Sequence, residues 1–267
     1  MKAGTVMEDG PVSYDFRPGR MITIECCENV QIRDVYLTDS PEWTIRIGNC
    51  DNVMVSGITI KNNPLIPNND GIHTATSRNI TISDCNIVAG DDAIIVSGFD
   101  KEGDGAISYG NKFDMAENVT VTNCVLSSRS SCIRIGYGSH PIRNLVFTNL
   151  ILYSSNRGIG IFSRDDSFIE KVRFSNIIID TRLHSGHWWG KGEPIHISAI
   201  KSSSNGNPGK IDQIRFSDIS ATSGNGILIY GDKESPITDV VLNNVDLTVT
   251  KGKFTDSYGG NIDLRPA

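Results

Sequence analysis

Three aspartates carry the chemistry that is easiest to read in this chain. They lie in the stretch "NNDGIHTATSRNITISDCNIVAGDDAIIVSG", residues 68 to 98, as Asp70 and the adjacent pair Asp91 and Asp92. The pair stands directly before the apolar run "AIIV". An ionised carboxylate beside a core costs free energy unless it is paired, hydrogen-bonded or used. Three carboxyls gathered in one groove repel one another and raise at least one pKa. A site obtains a protonated acid and an ionised base at the same pH in this way. A calcium site and a solvated turn are the other readings that the spacing allows. His73, three places after Asp70, is either a partner that holds Asp70 ionised or an imidazole offered to a ligand.

Something rigid must bring these residues together, and the chain supplies it by repetition. The phrases "ENVQIRDVYL", "DNVMVSGITI", "RNITISDCNI", "ENVTVTNCVL", "RNLVFTNLIL", "EKVRFSNIII", "DQIRFSDISA" and "TDVVLNNVDL" share one plan. Each alternates β-branched residues, turns on a small polar residue and continues apolar, which reads as strand, bend, strand. The bend residues are Asp34, Gly57, Asp84, Asn123, Asn149, Asn176, Asp218 and Asn244, at gaps of 23, 27, 39, 26, 27, 42 and 26 residues. Asn and Asp tolerate the left-handed backbone region that such a bend needs. The two long gaps hold the insertions "GFDKEGDGAISYGNKFDMAE" and "TRLHSGHWWGKGEP".

A period in the twenties without a helical pattern predicts an all-β chain. The expected fold is a single-stranded, right-handed parallel β-helix of about eight or more coils. The whole chain, 1–267, then forms one domain. A leucine-rich repeat would need a leucine consensus that is absent, and a propeller blade would need four strands. Cys85 and Cys124 follow the bend in successive coils and are expected to stack inside as a thiol ladder, a disulfide being the alternative. Outward residues on one sheet of such a solenoid form a long shallow groove suited to an extended polymer. Asp70 would then lie one coil from Asp91 and Asp92, about 5 Å along the axis. Neighbours in a straight strand face opposite ways, so the pair can share a groove only if the chain bends, which Gly90 permits.

The bulk numbers narrow the partners. With 267 residues, 38% hydrophobic and 21% charged, this is ordinary globular material. A net charge of −6 disfavours nucleic acid, although basic residues lining one groove can still hold an acidic polymer. No run approaches the roughly 20 apolar residues of a membrane-spanning helix. The start "MKAGTVMEDGPVSYDF" shows no leader pattern. The six cysteines, Cys26, Cys27, Cys50, Cys85, Cys124 and Cys132, lack a CxxC spacing and read as free thiols; no cofactor and no metal are expected.

"NNDGI" followed by "GDDAI", together with "SPEWTIRIGNCDNVMVSGITI", resembles glycoside hydrolase family 28, the polygalacturonases and rhamnogalacturonan hydrolases. The likeness runs from about residue 17 to 245, and its fold agrees with the repeat. It implies inverting hydrolysis of α-linked, galacturonate-containing pectic chains. By the family's motif Asp91 is the general acid, while Asp70 and Asp92 position and deprotonate the water. Inverting carboxyls stand about 6.5 to 9.5 Å apart to admit that water. The family also implies an extracellular or periplasmic place of action.

Two of the family's motifs are missing. Its Gly-His-Gly falls on Ser130, Ser131 and Cys132, with Ser131 in the place of the histidine. Its Arg-Ile-Lys, which grips a substrate carboxylate, falls within "SSNRGIGIFSRDD" near Ile159 and Ile161. Either the sugar at the centre is less acidic, or other residues supply the charge, or the site only binds. Arg129, Arg134, Arg157 and Arg164 cluster there, and arginine holds carboxylates bidentately. Arg134, three places after Ser131, is the first candidate replacement.

In the second insertion, Trp188 and Trp189 are candidates to stack on a sugar. His184, His187, Lys191 and Glu193 are candidates to bond its hydroxyls or carboxylates. Zinc held by His184, His187 and His196 is the weaker reading. Trp43 reads as packing. Asn79 and Asn118 form N-x-T sequons but also fit the strand repeat. The segment before residue 22 looks too short and polar to cap the first coil, so a monomer or a dimer through that end is expected. A uronate lyase or epimerase and a non-catalytic, tailspike-like glycan binder are the rival functions.

Overall fold

The computed structural model describes residues 19–99, 113–184, 189–201 and 209–252. These form eight successive coils of parallel β-structure with no α-helix among them. One sheet takes one strand from each coil: Ile22–Glu25, Ile45–Gly48, Ile72–Ala75, Ile94–Gly98, Ser131–Gly138, Arg157–Ser163, Glu193–Ala199 and Leu228–Gly231. It is called the site sheet below. Across the core from it lies the bend sheet. In its first three coils the expected strand pairs are separate, as in Arg78–Ser83 and Asn86–Ala89. From the fourth coil on they fuse into long bent strands, Ala116–Ser128, Ile142–Ser155, Phe168–Thr181, Lys210–Ser223 and Ile237–Val249. Every pairing is parallel, and the chain is the right-handed parallel β-helix that its repeat predicts.

The repeat works because residues of like shape meet in register. Ile72 pairs with Ile94, Ile94 with Ile133, Ile133 with Ile159 and Ile159 with Ile195, all wholly buried or nearly so. On the bend sheet Phe147, Phe174 and Phe216 stack with ring centroids 4.9 Å apart at each step, which is the spacing of the strands themselves. Cys85 and Cys124 are buried free thiols in neighbouring coils, each bonded to the carbonyl two residues before it, so the thiol-ladder reading holds.

All eight expected bend residues adopt the left-handed conformation, from Asp34 (φ 56°) to Asn244 (φ 52°). Their side chains form a ladder: Asn176 Nδ2 donates to Asn149 Oδ1 at 2.8 Å, and Asn244 Nδ2 to Asp218 Oδ1 at 2.6 Å. A second left-handed column, unnoticed in the sequence, runs through Asn29, Asn52, Asn79, Asn118, Asn144, Lys171, Gln213 and Asp239. Both sequon asparagines belong to it. Asn118 Nδ2 donates to Asn79 Oδ1 (2.9 Å), and Asn79 Nδ2 to Asp51 Oδ1 (2.7 Å).

Candidate active site

Outward residues of the site sheet fall into rows along the axis. Ser131 pairs with Arg157 and Arg157 with Glu193. Gly71 N donates to Asp92 O, and Ala93 N to Ser131 O, which extends the row back to Asp92 and Asp70. The resulting row is Asp70, Asp92, Ser131, Arg157, Glu193, one residue from each of five coils. Asp91 joins it from the turn. The adjacent aspartates stand before the strand Ile94–Gly98 rather than inside it, so strand alternation does not separate them. Gly90 matters in a different way from the one expected: its φ is not left-handed, but a Cβ there would lie 2.3 Å from Ile66 O and 2.9 Å from Asn63 O. It lets the loop carrying Asn68 close on Asp91.

Asp70, Asp91 and Asp92 are 3%, 7% and 4% exposed, so they are nearly dry yet reachable from one cleft of about 170 Å³. Asp91 accepts the N–H of Asn68 (3.1 Å) and of Asp92 (3.0 Å). Asp92 accepts the N–H of Ser131 on one oxygen (2.8 Å) and Arg134 Nε on the other. Burial, and then the charge of Asp92, raise the Asp70 pKa well above the carboxylate range. Burial, and then the charges of Asp70 and Asp92, do the same to Asp91. Asp91 and Asp92 both accept on each oxygen, but of the two only Asp92 is ion-paired with Arg134.

His73 is wholly buried beneath Asp70 and does not line the cleft. Its Nδ1 lies 3.4 Å from Asp70 Oδ2, its Nε2 meets Ser97 Oγ at 3.0 Å, and its ring stacks on Trp43. It is a neighbour of Asp70 but does not hold it ionised, since the Asp70 pKa is raised, and it is not placed to meet a substrate. Arg134 and Arg157 line the cleft as expected. Arg164 does not: its guanidinium bonds the Ser163 and Ser198 carbonyls and Ser198 Oγ, a structural use that removes it from the set of sugar ligands. The places near Ile159 and Ile161 also need correction. Both isoleucines point into the core, and the outward residues beside them are Gly160 and Phe162.

Arg157 is tied to Glu193 (Nε–Oε1, 2.8 Å), and Ser131 Oγ lies 3.4 Å from its Nη1. Burial opposes the ionisation of Glu193, yet Arg157, His196 and the N–H of Lys191 carry its pKa down to about 2. Lys191 serves through that N–H and is absent from the cleft lining, against expectation. Trp189, 37% exposed, lines the cleft; Trp188 and His187 lie outside the described residues. His196 is buried at Nδ1 3.4 Å from Glu193, and among the described residues no group of His, Cys, Asp and Glu has metal-holding geometry.

Four cleft residues with rings escaped the sequence reading. Trp43 packs on His73 but also lines the cleft, together with Phe99, Tyr137 and Phe162. A shift of register between Val96 and Gly98, which pairs Gly98 with Gly138, takes Phe99 and Tyr137 off a fixed-offset alignment.

Comparison with known proteins agrees with the fold. The family model described as "Glycosyl hydrolases family 28" matches residues 16–258. The chain belongs to glycosyl hydrolase family 28. A polygalacturonase of Medicago sativa is 28% identical over 240 residues, covering 82% of this chain and 50% of the relative. An endo-polygalacturonase of Pectobacterium carotovorum subsp. carotovorum is 23% identical over 232 residues, covering 86% and 52%. Among solved structures, a polygalacturonase from Erwinia carotovora ssp. carotovora superposes with a TM-score of 0.66 at 21% identity, over 86% of this chain and 56% of that one. The chain thus spans about half the length of the curated family 28 relatives it matches.

Proposed function

We propose that this family 28 chain hydrolyses α-glycosidic bonds of a pectin-like, galacturonate-containing polysaccharide with inversion, outside the cell or in the periplasm. The observation that carries the reading is the split within the three carboxyls. Burial and mutual repulsion keep protons on Asp91 and Asp70 beyond the ordinary range, while Asp92 is ion-paired with the buried Arg134. Asp91 is the general acid that gives its proton to the glycosidic oxygen. Asp92, held by Arg134 and the Ser131 N–H, takes the proton of the attacking water, and Asp70 orders that water beside it. The protons of so close a trio belong to the group rather than to single residues. His73 positions Asp70. Arg134, Arg157 and Trp189 face the sugar chain.

The test is reducing-end release from a panel of pectic and neutral polysaccharides in ¹⁸O-water, with wild type beside Asp91→Asn. One substrate should be cut with one ¹⁸O per new end, and the variant should lose about 10²- to 10⁴-fold in kcat. An unsaturated product without ¹⁸O would instead establish elimination. Sugar binding without any release would establish a glycan binder.

A further inference from the structure

Beside the charged row runs an aromatic one. Trp43, His73, Phe99, Tyr137, Phe162 and His196 supply one ring per coil through six successive coils, with centroids 3.8, 6.0, 6.5, 5.9 and 5.0 Å apart. Four of these rings line the same cleft as the acids. The charged wall, by contrast, is already compensated. Of the two described guanidiniums that line the cleft, Arg134 bonds Asp92 and Arg157 bonds Glu193. Each of these two cations is balanced by its own ion-pair partner, Asp92 or Glu193.

A sugar acid entering this cleft would shed water from its carboxylate and meet no net positive field among the described residues. An uncharged pyranose fits what is there. Its C–H face matches the ring wall, much as aromatic side chains pair with apolar surface elsewhere. Its hydroxyls can accept from Arg134 Nη1, which is buried at the cleft without a partner among the described residues. Leaving such a donor unmatched is costly, so a ligand that satisfies it is favoured.

We infer that the sugar unit held at the cleavage point is uncharged: a neutral sugar within a pectic chain, or a galacturonate whose carboxyl is esterified. The aromatic row, with Tyr137 at its centre, selects it. This inference rests on the hydrolase reading above.

The experiment compares kcat/KM at one ionic strength on ionised polygalacturonate, highly methyl-esterified pectin, and a pectic chain in which galacturonate alternates with a neutral sugar. At least one uncharged-unit substrate should exceed polygalacturonate by about tenfold or more. Which of the two leads identifies whether an ester or a neutral sugar is the source. Tyr137→Ser should reduce that preference mainly through KM, and Tyr137→Phe should restore it. Equal or better cleavage of ionised polygalacturonate overturns the inference while leaving the hydrolase reading intact. No cleavage of any polymer defeats the hydrolase reading. Calorimetric binding of the same three polymers to the wild-type chain then decides the inference, a preference for the ionised polymer overturning it.

Discussion

Both faces of this solenoid stack polar residues one per coil, and they meet opposite electrostatic fates. On the bend sheet half of the stacked groups are amides, each with a donor and an acceptor, so Asn176 over Asn149 is satisfied by repetition alone. On the site sheet repetition would be harmful. Carboxylates stacked at the coil spacing of about 5 Å repel, and burial magnifies the repulsion. The row therefore changes identity at each coil, from Asp70 and Asp92 through Ser131 to Arg157 and Glu193. A ladder of like residues builds a scaffold, and a ladder of unlike residues builds a site.

The difference is sharpest at the Arg157–Glu193 pair, where both partners are almost wholly buried. Glu193→Gln leaves the guanidinium without its counter-charge and should cost about 3–5 kcal/mol in urea unfolding at neutral pH. The cost should shrink in acid. Glu193 has its folded pKa depressed to about 2, so its stabilisation is present above the ordinary Glu value and disappears as pH falls toward 2.

Asp70 should behave in the reverse sense. Its folded pKa is raised, so ionising it opposes folding, and that penalty grows as pH climbs from the ordinary Asp value through the folded one. Asp70→Asn should therefore be inactive yet melt higher than wild type, with the gap in Tm widening as pH rises. A lower Tm at every pH would show that the row is not strained.

On the bend sheet the effects should be smaller and free of any sign change with pH. Asn176→Ala keeps a residue with a Cβ in the left-handed region and loses the amide bonds, at about 1–2 kcal/mol. Asn176→Gly loses only the bonds and should cost less. Equal costs would mean that the ladder, not the backbone, sets the price.

How much of this could be read in advance depended on which repeat spoke. The bend column was legible because Asn and Asp recur at a place where backbone geometry demands them. The three acids were legible because paired aspartates before "AIIV" have no cheap structural excuse. The arginines were only half legible. Arg134, Arg157 and Arg164 are one residue type in neighbouring coils, and Arg164, just past the strand Arg157–Ser163, turns to the Ser163 and Ser198 carbonyls although its parity matches the outward Gly160 and Phe162. The aromatic row was broken, at its Phe99–Tyr137 step, by a register shift that no spacing rule anticipates.

The second left-handed column has a consequence for the timing of covalent modification. At both sequons the nitrogen that a glycan would occupy is already donating, from Asn79 to Asp51 and from Asn118 to Asn79. A sugar tree on either asparagine would have to stand where the preceding coil's acceptor lies, the Asp51 carboxylate or the Asn79 amide oxygen. Such a glycan can be attached freely only while the chain is still being made, before neighbouring coils close. Once wound, the solenoid guards its own acceptor sites.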